Sequence, residues 1–260
     1  MKEGLSLKPK EHLNLNIKGA KPIMACIGSI EDYCSSGQVD ILKESFEHSD
    51  DISNVDFKGD PDELYNKDFL VGGFKTYVLS PVDSKNKFSK EFFNCTVLVV
   101  SGIDKETGKN ISFLTHQHPE EISNKGSEFT SYLKQRLNEI KKKCMPGTID
   151  AIVVGGNYLS AEDFKKRHQY STASTKELAQ LVKKNLQNYL NSIKLLSTKV
   201  METLDFEPVI INGAKESVGY DDIYYNNDER RVYFIREKVN EKIGSFTRSD
   251  IEEGKKEQNK

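Results

Sequence analysis

The residues with the most chemistry to offer are Cys95 and the pair His116 and His118. They sit at the two ends of a stretch that reads as a β-hairpin. Cys95–Val100 (CTVLVV) is apolar and β-branched, Asp104–Lys109 (DKETGK) is a tight-turn sequence, and Asn110–His116 (NISFLTH) is the return strand. In the turn, Asp104 can accept hydrogen bonds from the backbone just ahead of it and Gly108 supplies a positive φ. If the turn centres on Lys105-Glu106, Cys95 lies opposite His116. If it is the four-residue Lys105–Gly108, Cys95 lies opposite His118 and His116 is one diagonal step away. Either register puts a histidine on the face of Cys95, and directly opposed Cβ atoms are about 4.5–5.5 Å apart. A free thiol, with a pKa of about 8.5, holds few thiolates at neutral pH. A neighbouring imidazole takes the proton, and the sulfur can then attack a carbonyl or carboxamide carbon. The same histidines carry a second reading. Imidazoles at i and i+2 of a strand share a face and can hold one metal ion, with further ligands drawn from Cys95, Glu120, Glu121, Asp163 or His168. A third reading leaves both as solvated or hydrogen-bonded histidines.

Around this hairpin the pattern is one of α/β layering. Strands are expected at Pro22–Ile27, at Phe69–Leu79 with a Gly-Gly bend, at Ile149–Val154 ahead of Gly155-Gly156, at Pro208–Asn212, at Ser217–Tyr225 and at Arg231–Arg236. A helix is expected near 127–143, with Phe129, Tyr132, Leu133, Leu137 and Ile140 on one face. A second runs from about Ser174 to Leu196, with Ser174 and Glu177 at capping-box spacing. The expected fold is a layered mixed β-sheet with two long covering helices. Residues 1–65, whose stretch 44–63 is rich in acids, read as an N-terminal extension with an acidic loop. Residues 66–238 read as the α/β domain, and 239–260 as a polar, disordered tail.

Composition narrows the function classes. Lys and Arg number 38 against 40 Asp and Glu, a net charge of −2, so nothing favours nucleic acid globally. Apolar residues are 36% and charged residues 30%, and no run of about 20 apolar residues is present to insert in a membrane. The four cysteines, Cys26, Cys34, Cys95 and Cys144, form no CxxC pair and are too sparse for a disulfide scaffold. Reduced thiols in a cytoplasmic setting are expected, and a secreted bacterial effector would share the composition. Cys26 and Cys144 read as buried packing thiols, and Cys34 as a rival nucleophile with no histidine close in sequence.

The stretch from Cys95 to His116 resembles the CheD family of receptor-glutamine deamidases, and more distantly the cytotoxic necrotizing factor type of toxin domain. In CheD-like proteins a strand opens on Cys, passes through an Asp-containing tight turn and returns to a His. Here that reads Cys95-Thr96-Val97-Leu98-Val99-Val100, Asp104–Gly108 and Phe113-Leu114-Thr115-His116. The family's third polar residue is a Thr about six positions before its Cys, and Ser89 stands at that place. Phe69–Phe74, Ile152–Asn157, the helix at 174–196 and Arg230–Phe234 resemble its opening strand, its strand ending in Gly-Gly, its last helix and its closing hairpin. Phe93-Asn94 stand where the family has Gly-Ser, and residues 1–65 have no counterpart.

The resemblance implies a CheD-like fold and hydrolysis of a glutamine carboxamide on a partner protein. Cys95 would be the nucleophile, His116 the base and later the acid, and Ser89 the group that orients the imidazole. No cofactor is implied. Two alternatives stand beside it: a non-catalytic protein-binding module on the same fold, and a metal-dependent hydrolase using the His116-x-His118 pair.

Overall fold

In the computed structural model the described residues are 10–13, 17–29, 77–92, 95–156, 175–211 and 221–236. They form strands β1 (Lys10–Leu13), β2 (Met24–Ser29), β3 (Tyr77–Leu79), β4 (Lys87–Phe92), β5 (Thr96–Ile103), β6 (Asn110–Gln117), β7 (Asp150–Gly155), β8 (Val209–Ile211), β9 (Asp221–Asn226) and β10 (Arg231–Arg236), with helices α1 (Pro119–Lys143) and α2 (Thr175–Leu204). The strands make two mixed sheets of five. The first has the order β1-β2-β10-β9-β4, with β2 and β10 parallel. The second has the order β3-β6-β5-β7-β8, with β7 and β8 parallel. No helix among the described residues is long and apolar enough to cross a membrane.

The apolar run of β5 reflects its position. Val97 and Val99 pack into the layer between the two sheets, with Leu114, Ile152, Val154, Ile223, Tyr225, Val232 and Phe234. Leu98 and Val100 point the other way, into a core shared with Phe129, Leu133, Leu137 and Ile140 of α1 and Ile193, Leu196 and Val200 of α2. A strand covered on both faces has no polar alternation to show. The described residues therefore form three layers: helices, second sheet, first sheet.

Several expectations need correction. Tyr132, expected on the apolar face of the first helix, is 46% exposed. The strands do not form one sheet: Arg231–Arg236 and the strand near Pro22–Ile27 close a separate sheet that stacks on the second. Periodicity tells which residues are buried, but not against which sheet. Helix α1 begins at Pro119 rather than near 127, because proline at the first helical position loses no hydrogen bond. Asn124, Gly126 and neighbouring serines had masked that turn, which is anchored by buried Ile122. Helix α2 runs on to Leu204, burying Val200 and Thr203. β2 pairs with β10, and Ile23, Ala25 and Cys26 are buried, so this part of the 1–65 segment belongs to the sandwich. The acidic stretch 44–63, Phe69–Phe74, Ser174, Ser217–Tyr220 and the 239–260 tail lie outside the described residues.

The expected turns form as read. Asp104 Oδ1 accepts hydrogen bonds from the amides of Glu106 and Thr107, each at 2.8 Å, and Gly108 has φ +69°. Tyr224 and Tyr233 are buried strand residues whose rings stack with centroids 6.0 Å apart.

One close approach places α2. A Cβ on Gly155 would overlap the phenol of Tyr189, which is 3% exposed. Only glycine lets the helix come this near the end of β7. Gly155→Ala is expected to cost about 2 kcal/mol or more of stability in urea melts. The double variant Gly155→Ala/Tyr189→Leu should recover part of that loss.

Candidate active site

The β5–β6 ladder pairs Thr96 with Gln117, Val97 with His116 and Val99 with Leu114, and it closes through Asp104, whose amide donates to the Lys109 carbonyl at 2.8 Å. This is the four-residue Lys105–Gly108 turn. Continued by one step, the register sets Cys95 opposite His118 and leaves His116 one diagonal away. His116 lies across from Val97, and Cys95 packs against the same inter-sheet cluster as Val97. Period-two alternation then puts Cys95 and His116 on the same face of the second sheet, the one turned to the first sheet.

Cys95 is half-buried, and its backbone is held. The Gly156 amide donates to the Cys95 carbonyl at 2.8 Å, which extends the β5–β7 ladder past Thr96 and Gly155. The Gly-Gly end of β7 is thus a backbone clamp on the residue carrying the thiol. His118 is the N-cap position of α1, in an extended conformation (φ −81°, ψ 124°), and its carbonyl accepts from the Ile122 amide at 3.3 Å.

Ser89 arrives from the other sheet. It lies on β4 opposite Ile223 of β9, and Ile223 belongs to the inter-sheet cluster. From there Ser89 Oγ is 2.6 Å from His116 Nδ1, a hydrogen bond between the two layers. β4 bulges directly after Ser89: Ser89 pairs with Ile223 and Phe92 with Asp221, so β4 spends one residue more than its partner. The chain then passes through Phe93 and Asn94, outside the described residues, to reach Cys95 on the second sheet.

Burial holds the His116 imidazole well below its usual range, to about 4, and the neighbouring His118 adds to this by resisting a second positive charge. His116 is therefore neutral at pH 7. For its Nε2 to accept a proton, Nδ1 must carry the ring hydrogen and donate it to Ser89 Oγ. A neutral imidazole in that tautomer is a base. A thiolate forming beside it would strengthen its hold on the proton.

The other thiols behave differently. Cys26 and Cys144 are buried, as read from the sequence, and burial pushes the Cys144 thiol up to about 12. Cys26, Cys95 and Cys144 are in no disulfide. Cys34, Asp163 and His168 lie outside the described residues. Among the described residues no group of three His, Cys, Asp or Glu side chains is placed to hold a metal ion.

The sequence did not announce β4 as a strand. Its bulge breaks the alternation, and Phe88 and Phe92 stand at helical spacing instead. Gln117, one polar residue between two histidines, carries no sequence signal of its burial. No protein-family model matches the chain, and no curated protein matches it.

The low affinity of His116 for protons has a measurable consequence. In the unfolded chain the imidazole titrates near 6.5, and in the folded chain near 4. Between these values the unfolded state binds more protons. His116 thus contributes stability that is fully present above about pH 6.5 and is lost as pH falls toward about 4. Urea melts between pH 7 and pH 4 should show this decline, and His116→Gln should flatten it.

Proposed function

We propose that the protein is a CheD-like, cysteine-dependent amidohydrolase that deamidates glutamine side chains of a partner protein. The observation that carries this reading is the 2.6 Å contact between Ser89 Oγ and His116 Nδ1. The resemblance singles out Ser89 as the orienting residue, and the fold brings it from a different sheet to the imidazole on the face of Cys95. A hydroxyl at Nδ1 fixes both the ring plane and the tautomer, which a histidine serving as a base requires.

In this mechanism Cys95 Sγ attacks the carboxamide carbon while His116 Nε2 takes the thiol proton. The tetrahedral intermediate collapses as His116 returns that proton to the leaving nitrogen, so ammonia departs and a thioester remains. Water then attacks the thioester. His116 accepts a proton from the water and passes it to the departing sulfur, which restores the thiol. Glutamate is left on the partner, with a new negative charge. Every step uses side chains of this chain, the substrate and water, and none draws on a cofactor.

Two measurements test the reading on the full chain. With iodoacetamide below pH 8, Cys95 should alkylate faster than Cys26 and Cys144, and His116→Ala should slow it. Incubation with glutamine-bearing folded proteins, a chemoreceptor cytoplasmic domain among them, should release ammonia and convert one amide to an acid, as read by mass spectrometry. Cys95→Ala should abolish this, and Ser89→Ala should lower the rate on the order of tenfold or more. Uniformly slow alkylation with no ammonia would leave the non-catalytic binding module as the reading. Zinc bound near one equivalent and lost in His118→Ala would instead favour the metal-dependent hydrolase.

A further inference from the structure

We infer that Thr96, Gln117 and Ser192 form a buried hydrogen-bonded bridge that sets the spacing of Cys95 and the two histidines, a positioning role that rests on the dyad reading above. Thr96 directly follows Cys95, and Gln117 stands between His116 and His118. The two face each other as the last pair of the β5–β6 ladder. Alternation turns their side chains away from the site, toward the helices. There Gln117 Nε2 donates to Thr96 Oγ1 at 2.9 Å, and the hydroxyls of Thr96 and Ser192 share a hydrogen bond of 2.5 Å. All three residues are 0% exposed.

Their surroundings explain why this bridge specifies geometry. The neighbouring core is largely apolar, with Leu98, Leu133, Ile193 and Leu196 among its members. Polar side chains buried there must satisfy one another or go unsatisfied, and sliding either strand end would break the whole chain of bonds at once. An apolar pair would hold the strands together without choosing a spacing. The Oε1 of Gln117 has no hydrogen-bond partner among the described residues, so the position carries a polar cost that leucine or methionine would remove. Stability alone does not account for glutamine here. The third member reaches the strand because α2 is close. Tyr189 settles over Gly155, which pairs with Thr96, and Ser192 follows Tyr189 by three residues on the same helical face. The Gly155 contact and the Thr96–Ser192 bond therefore act on one strand end, adjacent to the thiol.

The test follows alkylation of Cys95 by iodoacetamide across pH in the full chain, with peptide mass spectrometry as the readout and a thermal melt for each variant. Thr96→Val keeps the shape and removes the hydroxyl. It is expected to slow Cys95 alkylation at neutral pH by about tenfold and to move the pH profile upward. Thr96→Ser restores the hydroxyl and is expected to restore both. If Thr96→Val does not fold, Ser192→Ala, on the helix, is read in the same way. A variant that melts lower but keeps the wild-type rate and profile would overturn the inference, since the bridge would then be structural only. His116→Ala separates the two levels. If it leaves the Cys95 rate unchanged, the dyad reading fails and this inference with it. If it slows Cys95 while Thr96→Val and Ser192→Ala do not, only the positioning role fails.

Discussion

Everything at the site depends on the register between β5 and β6, and hydrophobic burial by itself does not choose that register. Val97, Leu98, Val99 and Val100 are all 0% exposed and comparable in size, so a slip by one residue would exchange one apolar face for another. The choice is made near the two ends. At one end Thr96 pairs with Gln117, and two pairs short of the other Ser101 pairs with Ser112, all of them buried polar residues. The four-residue turn, pinned by Asp104 Oδ1 and the positive φ of Gly108, allows the same register and no adjacent one. A slip would set hydroxyl and amide groups against methyl groups, each exchange costing about 1–3 kcal/mol. The hairpin is thus held in place by its few polar residues, and its many apolar ones supply the cohesion.

The second sheet alone does not complete the site. It supplies the thiol and both imidazoles, while the hydroxyl bonded to one imidazole belongs to the first sheet. The packing between sheets therefore sets the distance between Ser89 and His116. The same packing desolvates His116 and keeps it neutral. Orientation and protonation state then have a common origin, the closing of one layer on another. At the far end of this layer the polar content is structural. Arg230 is 2% exposed, with φ +53°, and donates from Nη2 to the carbonyls of Ser101 and Thr148. Asp150 Oδ2 accepts from the Ile23 amide at 2.6 Å, which fastens the entry of β2. The inter-sheet layer is polar at the turn end, apolar in the middle and polar again at the thiol.

Much of this was legible from the residues. The apolar runs marked β5, β6, β7 and β10, and the turn chemistry of Asp104 and Gly108 foretold a hairpin with a histidine on the face of the cysteine. The exact partner of Cys95 was not legible, because two turn lengths of equal parity fit the same residues. The division into two sheets was hidden for a different reason. Tyr225 and Val232 alternate as strand residues would in either arrangement, and only long-range pairing, such as β2 with β10, decides between them. β4 was hidden by its bulge. The bridge through Ser192 was hidden because a helical serine gives no sign of the strand it will meet.

Strand order also has a consequence in time. β4, which carries Ser89, finds its partner among the described strands in β9, and β2 finds its parallel partner in β10. Both partners lie beyond residue 220, whereas β5 and β6 adjoin in the chain. As the polypeptide leaves the ribosome, the hairpin can form early, but the sheet that delivers the hydroxyl cannot close until β9 and β10 have emerged. A nascent or truncated chain would carry the thiol and the imidazoles without the contact that aligns them. Translation itself then delays this contact until β9 and β10 have been made.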